Sequence, residues 1–222
     1  MQKLFWVLVV LVVLLLGVDR AGDYAAEKTV ADRLQASQDL RRTPEVDIAG
    51  FPFLTQVARR RFEKVTIVTR GVPVEAADRT LTLSRLTFVL GDVRAEQGFT
   101  RFRATTNRAR ARASYAELSR ALGLTVSYAG QGTVRAGKQI TVAGQKIDPS
   151  LTVRPRIVDG SLAFDDASTG AGVPDAVLAV IRQALQLRVP LTQLPFGARA
   201  TSLTADPRGL VVRLVSRDRT FG

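Results

Sequence analysis

The chain opens on an unbroken apolar run, Leu4 to Val18 (LFWVLVVLVVLLLGV), preceded by Lys3 and followed by Asp19 and Arg20. Its length falls between the apolar stretch of a signal peptide and the about 20 residues that span a bilayer. The GVDRAGDYAA that follows is broken by charges and holds no clean A-x-A cleavage pattern. A uniformly apolar start marks an export signal or a membrane anchor, with a buried core helix as the competing reading. Residues 1–22 are therefore read as signal peptide or N-terminal anchor, and 23–222 as a single domain.

After this run the periodicity changes. Ala26, Val30 and Leu34 recur at helical spacing and predict a helix over Asp23–Arg42, ended by Thr43-Pro44. Val46 and Ile48 alternate as a strand until Gly50 and Pro52 interrupt it. Phe51, Phe53 and Leu54 then form an apolar knot, and Leu54–Arg60 fits one or two helical turns. Val65 and Ile67 alternate again, and Leu81, Leu83, Leu86, Phe88 and Leu90 predict a strand bulged at Ser84-Arg85. Along RATTNRARARA (103–113), Arg108, Arg110 and Arg112 share one strand face and Ala109, Ala111 and Ala113 the other.

Ser114 to Glu117 reads as a capping box whose helix Gly123 closes. Short alternating segments follow as an antiparallel meander, with a hairpin signal at Asp159-Gly160. Pro174 opens a second amphipathic helix carrying Val177, Leu178, Ile181 and Leu185. The Pro-interrupted LRVPLTQLPFG (187–197) leads to two closing strands, 199–205 and 210–216, around Pro207-Arg208-Gly209. FPFLTQV near residue 51 and VPLTQLPFG near 189 loosely echo each other.

Two absences narrow the chemistry. The chain has neither cysteine nor histidine, which removes thiol nucleophiles, disulfides, thiolate metal sites and the Ser-His-Asp triad. No nucleophile elbow, P-loop or dinucleotide fingerprint is present. Asp165-Asp166 is expected to cap or turn a strand rather than to catalyse. We therefore expect no enzyme, no catalytic or metal-ligating residue and no cofactor. A hydrolase with two carboxylates distant in sequence stays as a minor reading.

Charge adds a partner class. Thirty-two Lys and Arg against twenty Asp and Glu give a net charge of +12, which attracts nucleic acid, anionic lipid headgroups or acidic polysaccharide. Export favours the membrane surface over nucleic acid. Arg59, Arg60, Arg61 and Lys64 form the sharpest basic cluster, either a solvated edge or a hold on an anionic headgroup. An apolar groove between sheet and helices needs no catalyst: burying an acyl chain of about 16 carbons gains roughly 12 kcal/mol before ordering costs.

VDIAGFPFLTQV (46–57), LRVPLTQLPFG (187–197), the GLVV of the last strand and the apolar N-terminus resemble the LmeA-like phospholipid-binding proteins of actinobacterial envelopes. The resemblance implies an α+β fold in which a highly curved antiparallel sheet wraps amphipathic helices, similar to tubular lipid-binding (BPI-like) modules. It implies a phospholipid or other anionic amphiphile as partner, and an exported or anchored protein at the outer face of the cytoplasmic membrane. A role in envelope lipid or lipoglycan biogenesis follows from the same likeness. The expected lipid-contacting residues are Phe51, Phe53, Leu54, Leu178, Ile181, Leu185, Leu191, Leu194 and Phe196, with the basic cluster at the headgroup. The alternative is an anchored envelope scaffold or assembly factor without a lipid cavity, with a protein partner still unknown.

Overall fold

The apolar run and the helix expected after it form one element. In the computed structural model, α1 (Gln2–Ser37) begins 21 residues before Asp23 and stops short of Arg42. Nothing between Val18 and Asp23 halts a helix: no proline intervenes, and Gly22 costs only about 1 kcal/mol relative to alanine. The structure describes residues 2–37, 40–76, 79–142, 145–159, 161–169, 179, 181–183, 185, 189–190 and 199–221.

After α1 come β1 (Glu45–Ala49), α2 (Phe53–Arg59), β2 (Arg61–Thr69), β3 (Val72–Ala76), β4 (Arg79–Leu83) and β5 (Arg85–Glu96). A 3-10 turn at Gln97–Phe99 leads to β6 (Arg101–Ala113), α3 (Tyr115–Leu122), β7 (Thr125–Gly130) and β8 (Thr133–Gly137). The chain continues through β9 (Ile140–Val142), β10 (Gln145–Ile147), β11 (Ser150–Val158), β12 (Ser161–Thr169), β13 (Val189–Pro190), β14 (Arg199–Asp206) and β15 (Gly209–Phe221). The class is α+β, mostly antiparallel, and no sheet closes on itself among the described residues. The chain divides into two compact units, Met1–Thr69 with Phe88–Asn107 and Arg217–Gly222, and Arg70–Thr87 with Arg108–Ser216.

In the first unit the strand order is β1-β2-β5-β6. β1 and β2 are antiparallel, with Val46 opposite Ile67 and Ile48 opposite Val65. The alternation seen in the sequence thus puts Ile48 and Val65 on the buried face. They join Phe53, Phe62, Val93, Ala95 and Ala104 in one core, where the rings of Phe53 and Phe62 lie 6.3 Å apart.

The second unit holds an antiparallel sheet ordered β13-β12-β11-β8-β7. Val158 opposes Ser161, so β11 and β12 form an antiparallel hairpin where the sequence placed one; Gly160 lies outside the described residues. Asp159 takes the positive φ (50°) that such a turn demands. The strand expected to bulge at Ser84-Arg85 is two strands: β4 pairs with β3, and β5 begins at Arg85. Ser84 bends the chain there, its hydroxyl donating to the Arg112 carbonyl at 3.0 Å. Asp165 and Asp166 likewise lie within β12 instead of turning it; Asp165 pairs with Arg156 at 2.7 Å. Helix α3 begins as expected, Ser114 Oγ accepting the Glu117 N–H at 3.3 Å. Residues 179, 181–183 and 185 are helical, in keeping with the helix expected after Pro174. Leu187 and the stretch from Leu191 to Gly197 lie outside the described residues.

The alternation over 103–113 holds. Ala109, Ala111 and Ala113 are buried while Arg108 and Arg110 are exposed. Arg112 differs from these two: its guanidinium grips both carboxylate oxygens of Asp206, at 2.7 and 2.8 Å. The Tyr115 hydroxyl donates to the Asp206 carbonyl at 2.7 Å. Burial, then the Asp206 charge, pushes the Tyr115 phenol up to about 12. The Arg112 hydrogen bonds, helped by the Arg208 amide, hold the Asp206 carboxyl down at about 2. A carboxyl depressed in the folded state adds stability that is complete above its ordinary value of 3.8 and is lost as pH falls toward about 2. Thermal melts of Asp206→Asn are therefore expected to show a lower Tm at neutral pH and a flatter acid slope than the parent between those limits. Parallel acid profiles for the two proteins would refute this account of the corner.

Candidate functional site

Every residue from Val10 to Val18 is exposed, Val13 and Leu14 by 61% each. Water does not tolerate a bare aliphatic stretch of this length without a partner surface. Among the described residues no helix is long and apolar enough to cross a membrane; the side chains of residues 1–8 lie outside that description.

Burial begins abruptly at Asp19, which is only 3% exposed. Its two carboxylate oxygens accept the backbone N–H groups of Phe53 at 2.9 Å and Leu54 at 2.7 Å. These are first-turn donors of α2, which have no partner inside the helix. The residue before them, Pro52, makes no side-chain capping bond, so the cap comes from 34 residues away. One helix therefore caps another, and charge-assisted hydrogen bonds of this kind are about twice as strong as neutral ones. Two turns further along α1, Glu27 Oε1 accepts the Ile48 N–H at 2.8 Å.

The loop into α2 is braced from the other side by Gln56. Its amide donates to the Ala49 carbonyl at 3.4 Å and accepts the Glu63 N–H at 3.0 Å. Gly50 sits at φ 113°, and a Cβ on it would stand 2.8 Å from Gln56 Nε2, so only glycine suits the position. α2 ends where Arg60 adopts a left-handed conformation, and the Arg60 carbonyl accepts the Ala95 N–H at 2.9 Å.

With the loop fixed this way, Phe53 turns into the core while Phe51 (56%) and Leu54 (42%) stay exposed. The Arg20 guanidinium lies 5.6 Å from the centre of the Phe51 ring, within cation–π range. Beside them is an open depression of about 480 Å³ lined by Phe51, Arg59, Arg61 and Asp92, among others. Arg61 is bound to Asp92 at 2.6 Å, and that hydrogen bond holds the Asp92 carboxyl below its usual range. Among the described residues Arg59 makes no ion pair there, and it is exposed.

The nine expected lipid contacts thus divide. Phe51, Phe53 and Leu54 gather around α2 in the first unit. Ile181 and Leu185 are buried in the second unit, while Leu178, Leu191, Leu194 and Phe196 fall outside the described residues. Of the basic cluster, Arg59 and Arg61 line the depression; Arg60 closes α2, and Lys64 lies exposed on β2. A second cavity, about 30 Å³ and entirely apolar, lies in the second unit among Leu83, Ala111, Ala113, Leu118, Leu162 and Leu210.

Sequence reasoning missed Asp19, Glu27 and Gln56, whose partners are 34, 21 and 7 residues away. The one available signal was a proline at the start of a short helix with no capping side chain nearby. Asp23 also escaped notice. It is buried with Oδ1 unpartnered, and burial raises its carboxyl against the opposing pull of Arg20 at 3.4 Å.

Two variants of the full chain separate these neighbours. Asp19→Ala is expected to lower stability by about 1–2 kcal/mol, the usual cost of a lost cap. Asp23→Asn is expected to leave the melting temperature unchanged or raise it at neutral pH, since a carboxyl raised by burial opposes folding while ionised. Equal losses from both would refute the separate roles.

The family model for LmeA-like phospholipid-binding proteins matches residues 17–215. The match takes in every expected lipid- and headgroup-contacting residue. No curated protein and no solved structure matches the chain.

Proposed function

The chain belongs to the LmeA-like phospholipid-binding family, and from that premise we propose that it is an exported or membrane-anchored binder of phospholipid, without catalytic activity, at the outer face of the cytoplasmic membrane. Residues 1–22 act as signal or anchor, and the remainder binds the lipid. The observation that carries the membrane side of this reading is the bare aliphatic stretch of α1 from Val10 to Val18, exposed around its whole circumference, which needs hydrocarbon around it in order to be stable. The anionic amphiphile suits a chain of net charge +12. A supporting role in envelope lipid or lipoglycan biogenesis, and a tubular, BPI-like wrapping of sheet around helix, belong to the same proposal.

We place the acyl chains against the apolar interior of the second unit. Ile181 and Leu185 supply part of its wall, and Leu178, Leu191, Leu194 and Phe196 belong to the same stretch of chain. The alanine face of β6 leaves space there, since Ala111 and Ala113 border the 30 Å³ void. Ligand pockets usually measure about 300–1,000 Å³, so a lipid would have to part the side chains around that void. The same small volume favours the second reading, an anchored scaffold that docks an envelope protein through its basic face and holds no lipid.

Organic extracts of the purified chain, analysed by mass spectrometry, are expected to contain phospholipid, and the protein is expected to take up a fluorescent phospholipid. Ala111→Phe fills the void and should cut that uptake by about tenfold; overpacking costs about 1–3 kcal/mol of stability. Leu118→Ala enlarges the same space and should preserve uptake despite a stability loss of about 2–5 kcal/mol. Lipid-free extracts together with absent uptake would favour the scaffold.

A further inference from the structure

Among the described residues, the large apolar side chains left exposed are not scattered. They are those of the Val10–Val18 face, Tyr24, Phe51, Leu54 and Val215. All but Val215 belong to α1 or to the loop and helix tied to it by Asp19. We propose that the first unit seats on an anionic lipid surface through a collar at the foot of the apolar helix. Phe51 and Leu54 enter the interface there, and Arg20, Arg59 and Arg60 meet headgroup phosphates. This inference rests on the reading of residues 4–18 as membrane-embedded and adds a second, sequence-distant element to the contact.

Three observations carry it. The first is continuity: Asp19 directly follows Val18, and at about 1.5 Å per residue the amides of Phe53 and Leu54 are bound within one turn of the last bare aliphatic residue. α2 is thereby held level with the point where the helix leaves its apolar surroundings. The second is composition. Phe51 and Tyr24 are aromatic residues at an apolar–polar border, where such side chains favour the headgroup layer. Arg20, stacked on Phe51, can keep its charge in water while its stem covers apolar surface. The third is charge. Arg59 and Arg60 are exposed at the other end of α2, and Arg59 has no carboxylate partner among the described residues. A second copy on this face would crowd two sets of these arginines into one interface, so an anionic bilayer fits better than self-association.

The test uses the full chain in vesicles of phosphatidylglycerol and phosphatidylcholine. Trp6 is the single tryptophan, so Trp6→Phe combined with Phe51→Trp leaves one indole as a depth reporter. Lipids brominated close to the acyl carbonyl are expected to quench it at least about twofold more than lipids brominated near the terminal methyl. Neutralising Arg59 and Arg60 to Gln should weaken the anionic-lipid dependence of that quenching by about fivefold per residue. Leu54→Trp serves as a second reporter if the first variant folds poorly. An indole quenched by aqueous iodide and not by brominated lipid overturns the collar, while lipid recovered by extraction from the same protein would leave the binding function standing. Protection of the indole in a detergent-solubilised dimer without lipid assigns the face to self-association and also overturns it. A chain that fails to float with the vesicles removes the anchor reading and the collar together.

Discussion

A single buried carboxylate governs the geometry of the first unit. Asp19 is the first charge after the apolar run, and both of its oxygens bind the opening amides of α2. A carboxylate taken out of water is costly unless its lone pairs are used. Here two charge-assisted bonds use them, and they satisfy donors that the short helix could not satisfy itself. Much of the local structure follows from this contact. Phe53 is drawn into the core against Phe62, and Phe51 and Leu54 are left outside. The bare end of α1 is coupled to a folded unit rather than to a loose tail.

Glu27 and Gln56 complete the frame by binding backbone groups of Ile48, Ala49 and Glu63, and Gly50 makes the turn beside Gln56. The block from Gly50 to Gln56 is therefore dense in special residues for structural reasons, and its exposed apolar members, Phe51 and Leu54, stay outside the core.

The arginine surplus has more than one use. Arg112 and Arg61 are committed to Asp206 and Asp92, Arg120 to Glu117 and Arg156 to Asp165. Exposed pairs such as the last two contribute little to stability. The Arg112–Asp206 pair is bidentate, partly buried and joined by Tyr115, so it orders a corner of the second unit. Arg59, Arg108 and Arg110 are exposed to solvent and belong to none of these pairs, so they add to the positive potential of the surface.

Local pattern made much of the chain legible. The apolar start, the β1 and β2 alternation, the Arg/Ala faces of β6, the Ser114 cap and the β11–β12 hairpin depend on residues a few positions apart, where periodicity and turn chemistry act directly. Lack of His and Cys ruled out imidazole and thiol chemistry equally early, and the block around Phe51 carried the family resemblance. Tertiary structure decided what distance in sequence conceals. It joined α1 into one helix, split the strand at Ser84, and chose Phe53 for the core over Phe51. It also gave Asp19 to α2 across 34 residues. Hydrophobic spacing states that a side chain should be buried, but the partner that buries it, or the amide that claims its oxygen, is chosen only when remote segments compete for the same space.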